Sequence, residues 1–318
     1  MNESYDVVVV GGGAAGLAGA VALARSRRSV LVVDAGDPRN APASHVHNFL
    51  TRDGVPPPQL YAAGRDEVTR YGGRIETGRV TALSRDGERF GVQIGDRAVT
   101  ARRLLVATGL RDELPDVPGL AARWGIDVLH CPYCHGWEIR DQRIGILATG
   151  PAAVHQALLF RQLSQHVTLL QHTAPELTDE QREQLCALGI AVIEGLVTRV
   201  EASSTALTGV KLTDGASVPL DALIVAPRMA ARAELLAPLG LAPDEVSLSG
   251  QVIGTQIEAD PTGATGVPGV WVAGNLAAIQ AHAITAAAAG LAAAAAINAD
   301  LVAEDAKRAA ANRHEHSH

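Results

Sequence analysis

Short runs of apolar residues, rich in β-branched side chains and free of polar alternation, recur along the chain: Val7 to Val10, Val30 to Val33, Leu104 to Val106, Ile144 to Leu147, Val167 to Leu170 and Val270 to Val272. Runs of this kind predict strands buried on both faces, as in a parallel sheet covered by helices. The first is followed at once by Gly11-Gly12-Gly13-Ala14-Ala15-Gly16 and then by Leu17, Val21 and Leu23 at helical spacing, which reads as strand, tight turn and helix. Val30 to Val33 closes this βαβ unit and ends in Asp34. Gly11 permits the turn, Gly13 lets backbone amides approach a pyrophosphate, Gly16 admits close helix packing, and Asp34 can accept ribose hydroxyls.

A second unit follows: strand Ile144 to Leu147, turn Ala148-Thr149-Gly150, helix from Pro151, strand Val167 to Leu170. It aligns on the first without a gap, so that Gly13 falls on Gly150, Gly16 on Ala153, Gly11 on Ala148 and Asp34 on Gln171. The fold class expected is α/β with two Rossmann-like dinucleotide-binding domains. The differences point to a lost ligand. Ala148 replaces the turn glycine, Pro151 removes a backbone donor, and Gln171 cannot act as the carboxylate that selects NADH. No Arg follows to pair a 2′-phosphate, so the second unit reads as a scaffold whose nucleotide site is degenerate.

Composition narrows the function. A formal net charge of -7 provides no basic field for gripping a phosphate backbone, which argues against nucleic acid as a partner. The apolar run after Ser4 ends in glycines, so it reads as a strand and not a signal peptide, and a cytoplasmic location is expected. Ala283 to Ala296 is alanine-rich but short of the roughly 20 apolar residues that span a bilayer. It is expected to be a closely packed helix, and Ala309 to His318 a solvated tail.

Two of the three cysteines stand in His130-Cys131-Pro132-Tyr133-Cys134-His135-Gly136-Trp137-Glu138. A four-ligand zinc site would need a second Cys or His pair at metal spacing, and none follows, so the pair is read as redox-active with no metal. Two intervening residues let the sulfurs bridge, and each thiol can lower the other's pKa. His135 could move the accompanying proton, or be a hydrogen-bonded surface residue. Cys186, on a helix expected over Asp179 to Leu188, reads as a buried inert thiol.

With a C-x-x-C in the second of two Rossmann-like units, the chain resembles the low-molecular-weight thioredoxin reductase family over nearly its whole length. Within that group it is most similar to the FAD-dependent dithiol oxidases of gliotoxin, holomycin and romidepsin biosynthesis, whose C-x-x-C-H-G-[WY]-E matches Cys131 to Glu138. Ala107-Thr108-Gly109 and Gly274-Asn275 look like the A-T-G and G-D stretches of such flavoproteins, with Asn275 in place of the aspartate. The resemblance implies a discontinuous FAD-binding domain, 1–112 and 248–318, around a middle domain, 113–247. His45 to Phe49 resembles the loop that crosses the isoalloxazine, which makes His47 and Asn48 cofactor contacts. His282 stands where a Gln meets the flavin's pyrimidine edge, either donating one hydrogen bond or stabilising reduced flavin and shuttling a proton.

By the same resemblance, Cys131 exchanges with a small-molecule dithiol, Cys134 lies against the flavin, and dioxygen takes the electrons to form hydrogen peroxide. A homodimer is expected on that ground alone. The rival readings are an NADPH-dependent disulfide reductase and a non-catalytic flavin redox sensor.

Overall fold

A computed structural model describes residues 3–315. The apolar runs form the interior of two parallel sheets. In the first, β1 (Ser4–Val10) lies between β2 (Val30–Asp34) and β6 (Arg97–Val106), with β3 (Arg74–Thr77) outside β2. The long β6 serves two partners: its first half pairs antiparallel with β5 (Arg89–Ile94) and thence β4 (Val80–Asp86), its second half parallel with β19 (Val270–Val272). Helix α1 (Ala14–Arg25) covers one face, with α2 (Pro57–Arg70) packed beside it.

The second sheet has the order β11 (Ala191–Ile193), β10 (Val167–Leu170), β9 (Ile144–Leu147), β15 (Ala222–Ile224), β8 (Val128–Leu129). It carries α3 (Pro132–His135), α4 (Ala152–Arg161) and α5 (Asp179–Ala187). The repeat expected from sequence is present in register: Val7 lies opposite Val30, and the aligned Ile144 opposite Val167. Even the bond that closes the turn is shared, Gly11 N–H to Val33 at 2.8 Å and Ala148 N–H to Leu170 at 2.9 Å. A small sheet of β12 (Val197–Ala202), β13 (Leu207–Leu212) and β14 (Ser217–Pro219) flanks this unit. A further sheet, β17 (Asp244–Leu248), β18 (Gln251–Gln256), β16 (Arg228–Ala231) and β7 (Leu110–Glu113), lies where the chain passes between the units.

Two sequence expectations need correction. The alanine-rich helix, α6, runs Ala283–Glu315, through most of the stretch expected to be an irregular tail; His316 to His318 lie outside the described residues. By length and composition alone α6 could cross a membrane. Instead its Ala293, Ala294, Ile297 and Leu301 are buried against α1 and the first sheet. The approach is close enough that a Cβ on Gly290 would lie 1.9 Å from the Ala15 carbonyl oxygen. Beyond the alanines, Asp300, Glu304 and Asp305 are held by Arg28, Arg102 and Arg103 from the sheet side, which extends the docked segment past the apolar one. Cys186 is exposed, not buried. On α5 the buried side chain is Leu185, and the next residue is turned about 100° away from it.

Candidate active site

The turn after β1, the loops after β6 and β19, and the start of α3 open on one cleft of about 1530 Å³. Of the residues expected from sequence to bind cofactor or do chemistry, all but Gly16 border it. Gly16 works behind the wall: its Cβ would lie 1.9 Å from the Gly11 carbonyl oxygen, so it sets how closely α1 approaches the turn. Gly11 itself has φ +108°, and a Cβ there would meet the Ala107 carbonyl oxygen at 2.4 Å. Gly13 caps α1 without a side-chain hydrogen bond, and the space where its Cβ would stand is empty for 4 Å. The free N–H groups of a helix start thus face open space, an anion site of the kind that takes a pyrophosphate. Asp34 stands at the end of β2, where its Oδ1 accepts from Gly36 N–H at 3.1 Å and keeps further acceptor capacity for ribose. These residues fit FAD: Gly11, Gly13 and Ala15 would hold the diphosphate, Asp34 would hold the ribose, and Thr108, Gly109 and Gly274 would border the remaining length of the cleft.

The redox pair is set by a very short helix. Cys131 is the N-cap of α3, and its Sγ accepts from the Cys134 N–H at 3.2 Å; Pro132 at the first helical position gives up no needed donor. Both cysteines are free thiols and half-buried. The Cys134 thiol donates to Cys131 and, with His282 beside it, pulls the Cys131 thiol down to about 5 against the opposing effect of burial. Cys134 moves the other way, raised by the charge held on Cys131 and by burial. The opposite directions of the two shifts favour Cys131 as the thiolate of the pair, with His282 Nε2 3.7 Å from its Sγ.

Sequence offers both His135 and His282 as candidates to move a proton. Among the described residues the imidazole within hydrogen-bond reach of a sulfur is that of His282, with Nε2 3.7 Å from Cys131 Sγ. His135 lies in the cleft wall, and burial lowers its pKa, favouring the neutral form. His282 immediately precedes α6, its carbonyl accepting from Ala286 N–H at 2.8 Å. Its ring meets that of Tyr133 edge-on, centroids 6.2 Å apart.

Asn275, which stands in place of the aspartate, has its amide turned into the protein: Nδ2 donates to the carbonyls of Ala278, Ile279 and Ala281 at 3.2, 3.2 and 2.9 Å. A carboxylate could not donate there, so the departure from the family's Gly-Asp has a structural account: it holds the loop that delivers His282. His47 and Asn48 likewise reach across the cleft. Asn48 Nδ2 donates to the Tyr133 carbonyl at 2.5 Å, and His47 Nε2 lies 3.3 Å from Glu138 Oε1. Their polar atoms thus clamp the C-x-x-C segment.

At the second unit the corresponding space is small, about 210 Å³. A Cβ on Gly150 would fall 1.8 Å from Oε1 of Gln251, a residue of β18 whose carboxamide lies on the turn. Gln171 donates through Nε2 to the carbonyls of Ala174 and Pro175, and His172 Nδ1 accepts from Val197 N–H. Pro151 is the N-cap of α4. Gln251 was not anticipated, and no local sequence signal marks it.

Residues 5–290 match the family profile described as pyridine nucleotide-disulphide oxidoreductase. Thioredoxin reductase sirT of Leptosphaeria maculans is 30% identical over 291 residues, 86% of this chain and 87% of its own length. A probable thioredoxin reductase of Arthroderma benhamiae is 38% identical over 154 residues, 46% of this chain; only 38% of that relative's length is covered. Among solved structures, HlmI superposes with a TM-score of 0.88 at 47% identity, covering 98% of this chain and 97% of that one.

Proposed function

The chain belongs to the pyridine nucleotide-disulphide oxidoreductase family, and from that premise we propose that it is an FAD-dependent oxidase of small-molecule dithiols, closing an intramolecular disulfide with dioxygen as electron acceptor. The observation that carries the direction of electron flow is the state of the second nucleotide turn. Gln251 covers Gly150, and the side chains of Gln171 and His172 are committed to backbone partners. A pyridine nucleotide would have to displace all three, so electrons enter through sulfur. The resemblance of Cys131 to Glu138 to the C-x-x-C-H-G-[WY]-E of small-molecule dithiol oxidases supports a small-molecule dithiol over a protein as substrate.

When bound, FAD supplies a two-electron acceptor for the dithiol and a route to dioxygen. The chain's own part is thiol–disulfide exchange. A substrate thiolate attacks Cys131 Sγ of the enzyme disulfide, and Cys134 departs as the sulfur that takes a proton, in keeping with its raised pKa. The second substrate thiolate then attacks the mixed disulfide, and Cys131 leaves as a thiolate. A lowered pKa makes it the better leaving group for that step. His282 is placed to hold the proton that would otherwise return to Cys131. Atoms balance as one substrate dithiol and one enzyme disulfide giving a substrate disulfide and an enzyme dithiol.

The test is twofold. Dithiothreitol should drive catalytic oxygen uptake with hydrogen peroxide formed, abolished in Cys134→Ser. Anaerobic NADPH should leave the yellow flavin unbleached; rapid bleaching would overturn the reading in favour of an NADPH-dependent reductase, and a single stoichiometric reduction without peroxide would indicate a redox sensor.

A further inference from the structure

Along the sequence, no second Cys or His pair at metal spacing follows Cys131 and Cys134. The fold supplies a third ligand from 151 residues away, since His282 Nε2 meets Cys131 Sγ. One donor atom each from Cys131, Cys134 and His282 lies within 4.8 Å of the others, with His282 Nε2 3.7 Å from Cys131 Sγ. A tetrahedral zinc ion with Zn–S about 2.3 Å and Zn–N about 2.0 Å sets its donors about 3.8 Å (S to S) and about 3.5 Å (S to N) apart, so movements of an ångström or less close the site.

We propose that the dithiol form of this protein binds a thiophilic divalent cation, zinc being the type, through Cys131 Sγ, Cys134 Sγ and His282 Nε2, and that this binding arrests turnover. Two thiolates and an imidazole select zinc over oxygen-seeking magnesium or calcium. Three features pre-arrange the ligands: the Cys134 N–H bonded to Cys131 Sγ, the Tyr133 ring edge-on to His282, and the Asn275 amide fixing the loop before it. Three protein ligands leave a fourth position towards the cleft, open to water or to a substrate sulfur. In the disulfide form the sulfurs are bonded to each other and provide no thiolates, so the site exists in one redox state only. Binding displaces the protons remaining on the thiols: one thiolate and one thiol plus Zn²⁺ give a zinc dithiolate and one H⁺.

The inference rests on the reading of the pair as one that cycles between dithiol and disulfide, but its test needs no turnover. FAD-loaded protein, reduced anaerobically with a phosphine and desalted, is titrated with zinc chloride against a chromophoric chelator. We expect one zinc per chain, affinity at least about 100-fold above that of the oxidised protein, loss in Cys131→Ser, about a 10-fold or greater weakening in His282→Ala, and recovery in His282→Cys. Equal binding by reduced and oxidised protein, or unchanged affinity in both His282 variants, overturns the site. If zinc binds as described and dithiothreitol drives no oxygen uptake, the oxidase reading fails and the metal site stands; if uptake is catalytic and zinc neither binds nor inhibits it, the reverse holds.

Discussion

The two βαβ units share register, turn hydrogen bond and helix placement, yet one opens on a cleft of about 1530 Å³ and the other on about 210 Å³. The shared part is what the buried strands enforce: Val7, Val9, Val30 and Val32 in one core, Ile144, Ile146, Val167 and Leu169 in the other. The part that differs lies at the strand ends and the turns that follow them. There Gly11, Gly13 and Asp34 border the open cleft, while Gln171 bonds the carbonyls of Ala174 and Pro175 and the Gln251 carboxamide lies on Gly150. A Rossmann fold persists on its packing; its ligand depends on a few positions outside that packing.

The contrast can be broken most sharply at the turns. Gly11→Ala places a Cβ against backbone at positive φ, and we expect loss of about 2 kcal/mol or more of stability together with most of the bound flavin. Gly150→Ala meets only the far end of Gln251 and should leave both unchanged; urea unfolding and the visible-to-ultraviolet absorbance ratio of the purified proteins read this directly. Next in size, Asp34→Asn should weaken FAD rebinding by the apoprotein about 10- to 100-fold, the value of hydrogen bonds to a charged acceptor.

The redox pair itself is built from both units, so its chemistry should respond to the first unit's His282. Alkylation of Cys131 by iodoacetamide follows its thiolate: with the thiol lowered to about 5, the rate should be flat above that pH and fall below it. His282→Ala should move the midpoint upward by about one pKa unit and so slow alkylation at the old midpoint by roughly 5-fold. Gln251→Ala alone should change NADPH binding little, because Pro151, Gln171 and His172 remain; anaerobic bleaching in this variant would show that the carboxamide is the sole barrier. Last, Ala148→Gly should destabilise by about 1–2 kcal/mol in thermal unfolding, the added chain entropy of glycine together with the loss of a buried methyl group.

Much of this was legible in the order of residues. Strands over 144–147 and 167–170 appear at the expected residues, the glycine turn and Asp34 border the cleft as expected, and the C-x-x-C lies beside them. Local chemistry explains the success, because apolar runs, turn glycines and adjacent thiols each act within a few residues of themselves. The alanines mark the helix from Ala283 but not its length, because the later part docks on arginines distant in sequence, Arg102 and Arg103 of β6 and Arg28 of the loop before β2. Cys186 was misplaced because burial on an isolated helix face depends on what that face meets.

Sequence alone determined that the chain makes two nucleotide-type units with one intact turn, and that its reactive groups are thiols. Tertiary structure decided which imidazole serves the thiolate and what fills the second turn. His135 is next to Cys134 along the chain, but His282 reaches Cys131 because Asn275 fixes the loop before α6; Gln251 reaches Gly150 because β18 passes beside that turn. Contacts between residues a hundred or more positions apart follow from how sheets and helices close on one another, and no local pattern of side chains encodes that closure by itself.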